Sequence, residues 1–349
     1  MRATVIHNPV AGQRDSHDEL LQVIQYLEEQ GFQLDRVEKT HGASDVTTYA
    51  RRAALSGSDV VFLSGGDGSI AEAVDGLVNT DAALAVLPSG TGNVFARQLN
   101  LPVPGGIHPR PLLESARLLL AGQVRRVDVG RVTPRGAAGP AHHFLLWSGI
   151  GFDAAVNIGL HADMERKRRL GLIATVITGF LTLRDFAGTS VRIRVDNHRM
   201  SRRIMMMVAS NIQIYGVIFR LTQHAVMDDG LLDIVCFQGT TPARTLLHAL
   251  KLLVNRHVDD PKVDIFRARR IEIVTARPMP VHVDGDTIGY TPVVIEAVPK
   301  SLNLLTPDCA PATLFMDGAG ALPPENAWEW MQRMAADVQV ALKERTTSP

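Results

Sequence analysis

Two glycine-rich segments carry the residue types from which a reaction site could be built. Ser64-Gly65-Gly66-Asp67-Gly68-Ser69 separates an apolar run at 60–64 from a helical pattern at 70–78. Pro88-Ser89-Gly90-Thr91-Gly92-Asn93 does the same between 82–87 and a helical stretch through Leu99. Glycine lets the backbone turn sharply and come close to a ligand, and amides at a helix start donate to an anion. One such segment could be a plain strand-to-helix turn. A pair at equivalent places in successive strand–helix units can converge on one polyphosphate. Asp67 is hard to read as packing, because a carboxylate beside phosphates is repelled unless a metal ion or a proton transfer accompanies it.

Other nucleotide chemistries fit less well. Gly66-x-Gly68-x-x-Ala71 matches the relaxed dinucleotide fingerprint, which wants an acid about 20 residues on for the ribose. Residues 82–97 contain no Asp or Glu, so hydride chemistry on NAD is disfavoured. The P-loop pattern with Gly-Lys-Ser/Thr is absent. Cys236 and Cys309 are too few for a disulfide framework or a four-sulfur zinc site. His142-His143 reads as a turn with no acid or cysteine at ligand spacing. Thirty-six basic residues balance thirty-six acidic ones, so the electrostatic footprint of a nucleic-acid binder is missing.

The elements that must position these loops follow from periodicity. The 349 residues, 46% of them apolar, fit two domains of ordinary size. Strands are predicted at 3–7, 32–39, 60–64 and 82–87. The helices between them are one that Asp15-Ser16 can cap, with Leu20, Leu21, Ile24 and Leu27 on one face, then 44–55 and 70–78. Strands alternating with helices imply a parallel sheet with helices on both faces, which binds ligands at the carboxyl ends of its strands. Residues 102–111, rich in proline, form a connector, and 112–121 resume a helix. From about Val127 the pattern turns to short strands: 144–147, 191–195, 204–209, 232–237, 271–275, 281–283 and 293–297. Only 164–183 and 242–255 read as helices there, so a β-rich, sandwich-like second domain is expected. A tail helix at 323–345 carries Trp328, Trp330, Met331 and Met334.

The ordered motifs resemble the diacylglycerol kinase catalytic family, in particular its soluble bacterial lipid kinases, which are related to sphingosine kinases and NAD kinases. They are Asn8-Pro9-x-x-Gly12, Gly65-Gly66-Asp67-Gly68-Ser69 with Glu72, Pro88-x-Gly90-Thr91-x-Asn93 with Phe95-Ala96-Arg97, Gly149-Ile150-Gly151-Phe152-Asp153, Asp229-Gly230-Leu231-Leu232-Asp233 and Asp284-Gly285-Asp286. The likeness runs from about residue 2 to about 306. It implies a nucleotide domain over 1–127, rejoined by about 298–315, a lipid-binding domain over 128–297 and a tail over 316–349. It further implies that ATP lies against Asn8, Pro9, Val10, Ala11, Gly12, Thr40, Gly65, Gly66, Asp67, Gly68, Ser69, Ile70, Ala71 and Thr91. A structural Mg²⁺ would be held by Asp229 with the carbonyls of Val226 and Leu231. Asp286 would take the proton from the lipid hydroxyl, with Asp67 organising metal and nucleotide. Asp286 stands where the family usually has Glu, one methylene longer. Ser69 replaces the usual Thr, Ala71 a common Asn, and Val217 interrupts an expected glycine-rich loop.

The expected activity is therefore transfer of the ATP γ-phosphate to the hydroxyl of diacylglycerol or a similar lipid, in phospholipid biosynthesis. Two alternatives stand beside it: a catalytically impaired nucleotide- or lipid-binding protein, and an NAD kinase-like phosphotransferase on a soluble acceptor. A cytoplasmic protein touching the inner membrane face is expected, with no nucleic-acid partner and with homodimerisation as an option. The apolar run at 170–183 has fourteen residues, fewer than the roughly 18 that suggest a membrane span. Arg166-Lys167-Arg168-Arg169 precedes it, and Arg267, Arg269 and Arg270 form a second basic cluster; each could meet anionic lipid or be a solvated face.

Overall fold

The computed structural model describes residues 1–318 apart from 13–15, 43, 106–107, 137–138, 163–187, 196–197, 217–218, 240 and 254. The basic cluster at 166–169, the apolar run after it, Val217 and the tail helix lie outside the described residues.

The first part alternates β1 (Arg2–His7), α1 (His17–Glu29), β2 (Gln33–Lys39), α2 (Asp45–Leu55), β3 (Val60–Gly65), α3 (Asp67–Leu77) and β4 (Ala83–Pro88). Two further helices follow, α4 (Val94–Gln98) and α5 (Pro111–Leu120). The strands pair in parallel in the order β4-β3-β1-β2. Both VVFLSG of β3 and ALAVLP of β4 are buried throughout. Such continuous apolar runs are what a parallel sheet covered on both faces requires. Helix α1 packs with α5 and α2 with α3, the pairs covering opposite faces as right-handed crossovers dictate.

The second part is strand-rich and antiparallel. Its elements are β5 (Gln123–Pro134), β6 (His142–Phe144), β7 (Trp147–Gly151), α6 (Phe152–Ala162), β8 (Thr189–Val195), β9 (His198–Ser210), β10 (Leu232–Gln238), α7 (Pro242–Leu253), β11 (Val263–Ala268), β12 (Arg270–Thr275), β13 (Pro280–Val283), β14 (Asp286–Tyr290) and β15 (Val293–Thr306). Strand β8 alternates buried and exposed residues along its length, so Val191, Ile193 and Val195 enter a core with Ile234, Phe266 and Ile271. Strand β15 is fourteen residues long. It pairs antiparallel with β12 and β5, then parallel with β4 through Asn303 and Leu304. A register shift between Val298 and Leu302 lets one strand serve both halves.

The departures from the sequence reading are local. Helix α3 starts at Asp67 instead of residue 70, which puts Asp67 in its first turn. Residues 144–147 are not one strand but the end of β6, a turn and the start of β7. Helix α6 and strands β5, β11 and β14 were not predicted. His143 is not in an acid-free turn: it sits on β6, where its ring Nδ1 lies 2.8 Å from Asp75 on α3.

Candidate active site

Three loops meet at the carboxyl ends of β1, β3 and β4. The Ser89 amide donates to the Gly65 carbonyl (3.0 Å), and the Asn8 amide to the Ser64 carbonyl (2.9 Å). Asn8 Nδ2 donates to Ser69 Oγ at 2.8 Å, tying the first loop to α3. The backbones approach so closely that glycine is obligatory. A Cβ on Gly90 would lie 2.6 Å from Gly66 Cα, and one on Gly12, at φ +78°, 2.2 Å from the Ser89 carbonyl oxygen. Asn93, at φ 48°, accepts from the Gly90 amide (2.9 Å) and donates to its carbonyl (2.7 Å), closing the second loop on itself.

Asp67 holds the loops together. Its Oδ2 accepts from the Val94 amide (3.0 Å) and its Oδ1 from the Phe95 amide (3.1 Å). The carboxylate of α3 thus satisfies the orphan donors at the start of α4. Burial pushes its carboxyl up, and these two amides and Arg97 oppose that shift. Beside the role anticipated for it toward metal and nucleotide, Asp67 braces the second loop. The first-turn amides of α3, including those of Gly68 and Ser69, have no intrahelical acceptor by helix geometry and are suited to an anion. Thr40 is buried beside His7, to whose carbonyl its amide donates (3.0 Å). Thr91, Pro9 and Val10 are exposed, and Ala71 is half-buried. Ile70 is 1% exposed and belongs to the core, so of this set it is the residue least able to meet a ligand.

The acidic turn between β13 and β14 faces these loops. Asp284, at φ 46°, is buried and accepts three amides: Leu145 to Oδ2 (2.9 Å), and Leu146 (3.1 Å) and Trp147 (2.9 Å) to Oδ1. Burial pushes its carboxyl up to about 7, against those amides, and the charge of Asp67 adds to the shift. Asp286 is exposed at the start of β14, and its charge, after burial, helps raise the carboxyl of Glu72 on α3. The turn is held from behind. The Gly285 amide donates to His282 Nδ1 (3.2 Å), and His282 Nε2 lies 2.5 Å from Asp153 Oδ2. The Tyr215 hydroxyl donates to the other oxygen of Asp153, and its ring packs on Trp147. Asp284 and the Tyr215–Asp153–His282 chain were not assigned roles from sequence. The Asp-Gly-Asp and Gly-Ile-Gly-Phe-Asp motifs were the signal for Asp284 and Asp153.

The expected metal residues are elsewhere in the strand-rich half. Asp229 Oδ1 accepts from the Leu231 amide (2.9 Å), and Oδ2 is ion-paired with Arg267 Nη1 (3.1 Å). Arg267, read as a candidate membrane contact, is therefore engaged by Asp229, and Arg270 by Glu296 and Glu272. Asp128 accepts from the amides of Gly230 (2.5 Å) and Lys300 (2.7 Å). Each oxygen of Asp229 thus has one partner and keeps a second lone pair, so the carboxylate with the Val226 and Leu231 carbonyls remains an oxygen donor set of the kind Mg²⁺ takes. Among the described residues no three His, Cys, Asp or Glu side chains are grouped to hold a metal ion.

Residues 2–132 match the diacylglycerol kinase catalytic domain, and residues 148–306 match the YegS C-terminal NAD kinase beta sandwich-like domain. The chain belongs to the diacylglycerol kinase catalytic-domain family. It is 27% identical to the diacylglycerol kinase of Bacillus subtilis (strain 168), over 88% of this chain and 96% of that one. Identity to the diacylglycerol kinase of Staphylococcus carnosus (strain TM300) is 25%, over 88% and 95% of the two chains. A solved structure of a presumed diacylglycerol kinase from Bacillus anthracis (strain Sterne) superposes with a TM-score of 0.69 at 26% identity, over 88% of this chain and 98% of that one. The two-domain architecture is that of this family: a parallel sheet with helices, then an antiparallel strand-rich domain. Membership places the chain in a kinase family, for which a nucleoside triphosphate is the implied phosphoryl donor. Among the described residues no helix is long and apolar enough to cross a membrane.

Proposed function

We propose that the protein transfers the γ-phosphate of MgATP to a lipid hydroxyl, diacylglycerol being the first acceptor to test. The observation that carries this reading is the juxtaposition of the paired glycine loops with the acidic turn. Asp67 and Glu72 on α3 lie within electrostatic reach of Asp284 and Asp286, respectively. Phosphoryl transfer asks little covalent work of a protein beyond positioning and charge stabilisation. Amides of α3 and the Gly90 loop would hold the phosphates, with Asn8, Gly12 and Thr40 closing the site around the nucleotide. Asp286 is exposed at the mouth and would accept the hydroxyl proton, while Asp284 fixes the turn that carries it.

Incubation with radiolabelled ATP and a panel of lipids should label a chloroform-soluble product, diacylglycerol giving a phosphatidate. Nucleotide binding without transfer to any lipid would sink the proposal. Label confined to the aqueous phase with a soluble acceptor would support the NAD kinase-like reading. The exposed, shortened carboxylate at 286 keeps the impaired-enzyme reading in play, and Asp286→Glu separates the two. A gain from near zero favours the impaired protein, whereas a loss of activity favours a working aspartate.

A further inference from the structure

The strand-rich half carries a second feature that the kinase reading does not use. An open cleft of about 660 Å³ lies at the rim where β8 begins, β10 ends and α7 starts. That volume is within the roughly 300–1,000 Å³ usual for ligand sites. Arg202, Arg203, Arg244 and Lys262 line it, with the hydroxyls of Ser190 and Ser201. Cross-strand pairing dictates this gathering: Ser190 sits opposite Arg203 between β8 and β9, and the Gln238 amide donates to the Lys262 carbonyl at the end of β10.

The charges are layered. Asp264, 4% exposed, pairs with Arg202 at 2.9 Å, and Asp260, 1% exposed, pairs with Arg244 at 2.5 Å. The two carboxylates lie beneath, while the guanidinium side chains are 22% and 26% exposed. Arg203 and Lys262 are exposed, and their side chains make no hydrogen bond or ion pair to another described residue. The cleft thus holds four cations against two anions. Arg244 also keeps a buried Nε without a partner, a donor that burial ought not to leave idle. Arg244 stands in the first turn of α7, where the helix dipole adds positive potential. Planar guanidinium forks and hydroxyls suit a tetrahedral oxyanion better than a carboxylate-free surface of lysines would.

We propose that this cleft binds a phosphate-bearing anion, either a free phosphomonoester or the headgroup of an anionic lipid. It is separate from the nucleotide loops. Arg203 stands seven residues along β9 from Ser210, which pairs with Trp147 beside the acidic turn, so the two lie roughly 20 Å apart along the strand.

The test uses the full chain with the nucleotide site saturated by a non-hydrolysable ATP analogue. Calorimetric titrations with inorganic phosphate and with glycerol 3-phosphate form one arm. Co-flotation with phosphatidylcholine vesicles, with or without one-fifth phosphatidate, forms the other. The comparison is with R203E/K262E and with the milder R203Q/K262Q, neither of which touches the loops or the acidic turn. Saturable binding in the first arm, weakened at least tenfold in both variants, assigns the cleft to a soluble phosphate. Flotation that needs phosphatidate and is lost in both variants, without the first signal, assigns it to a lipid headgroup. Equal binding by wild type and variants, or none in either arm, overturns the proposal. Melting temperature and nucleotide affinity unchanged in the variants show that fold and kinase site survive, so this test fails or succeeds independently of the proposed activity.

Discussion

His282 is fully buried with both ring nitrogens engaged, which fixes its chemistry. Because Nδ1 accepts from the Gly285 amide, the proton resides on Nε2 and points at Asp153. The imidazole therefore transmits the position of Tyr215 and Asp153 to the turn bearing Asp284 and Asp286. His282→Gln keeps a donor toward Asp153 but removes the acceptor for Gly285, whereas His282→Asn retains an acceptor near Nδ1. A displacement of about 1 Å can cost roughly 100-fold in rate. His282→Gln should accordingly lower kcat by about 10- to 100-fold. The KM for ATP should change little, and His282→Asn should recover part of the loss; steady-state kinetics on both variants decide it. Asp284 supplies a second expectation. Its carboxyl titrates near 7, and the ionised form is the one that grips three amides. The kcat–pH profile should fall on the acid side of about 7, and a limb several units lower would remove Asp284 from the machinery.

At the scale of elements, the site depends on two helices being held start to start. Asp67 in α3 binds the amides that open α4, and Gly66 lies against Gly90. Gly90→Ala would force the loops apart. It should weaken ATP binding at least tenfold and cost about 1–3 kcal/mol of stability, as overpacking does. Asp67→Asn turns one acceptor into a donor facing an amide, a change that should cost about 1–3 kcal/mol. Chemical denaturation and nucleotide titration check both. These loops were legible in the sequence because glycine between an apolar strand and a helix has a local cause. The parallel β1–β4 units were legible for the same reason, their apolar periods switching cleanly. Strands β5, β11 and β14 were not: β5 opens on Gln-Val-Arg-Arg, β11 is interrupted by Asp264 and Arg267, and β14 contains Gly289, so none shows an uninterrupted apolar pattern. Helix α6 follows directly on a strand and contains Gly159. The partners of Asp284 lie nearly 140 residues upstream, and no local pattern announces a bond of that range.

Over the whole molecule, buried acids set how stability responds to pH. Burial pushes Asp128 up to about 6, Asp284 to about 7 and Asp233 to about 8. Each is raised above its unfolded value of 3.8, so between that value and the folded one the native state holds a proton that the unfolded state has released. Stability then declines as pH rises through this window, by up to about 1.4 kcal/mol per unit for each such group. Asp260 and Glu296 are lowered despite burial, Asp260 chiefly by the Lys262 amide and Lys251 and Glu296 by Arg131, and their contribution is complete above about 5. The melting temperature should therefore be higher near pH 5.5 than near pH 8. A flat or rising curve would show that these acids are solvated.

Strand β15 gives this architecture an order of assembly. It contributes the strand that pairs with the free side of β4, yet it ends at Thr306, more than two hundred residues after β4. A chain emerging from the ribosome must hold that edge of its first sheet open while the whole strand-rich half is made. An uncovered parallel edge is a template for pairing with other chains. Nascent copies stalled before residue 303 should aggregate or recruit chaperones, whereas those released after 306 can seal the seam themselves.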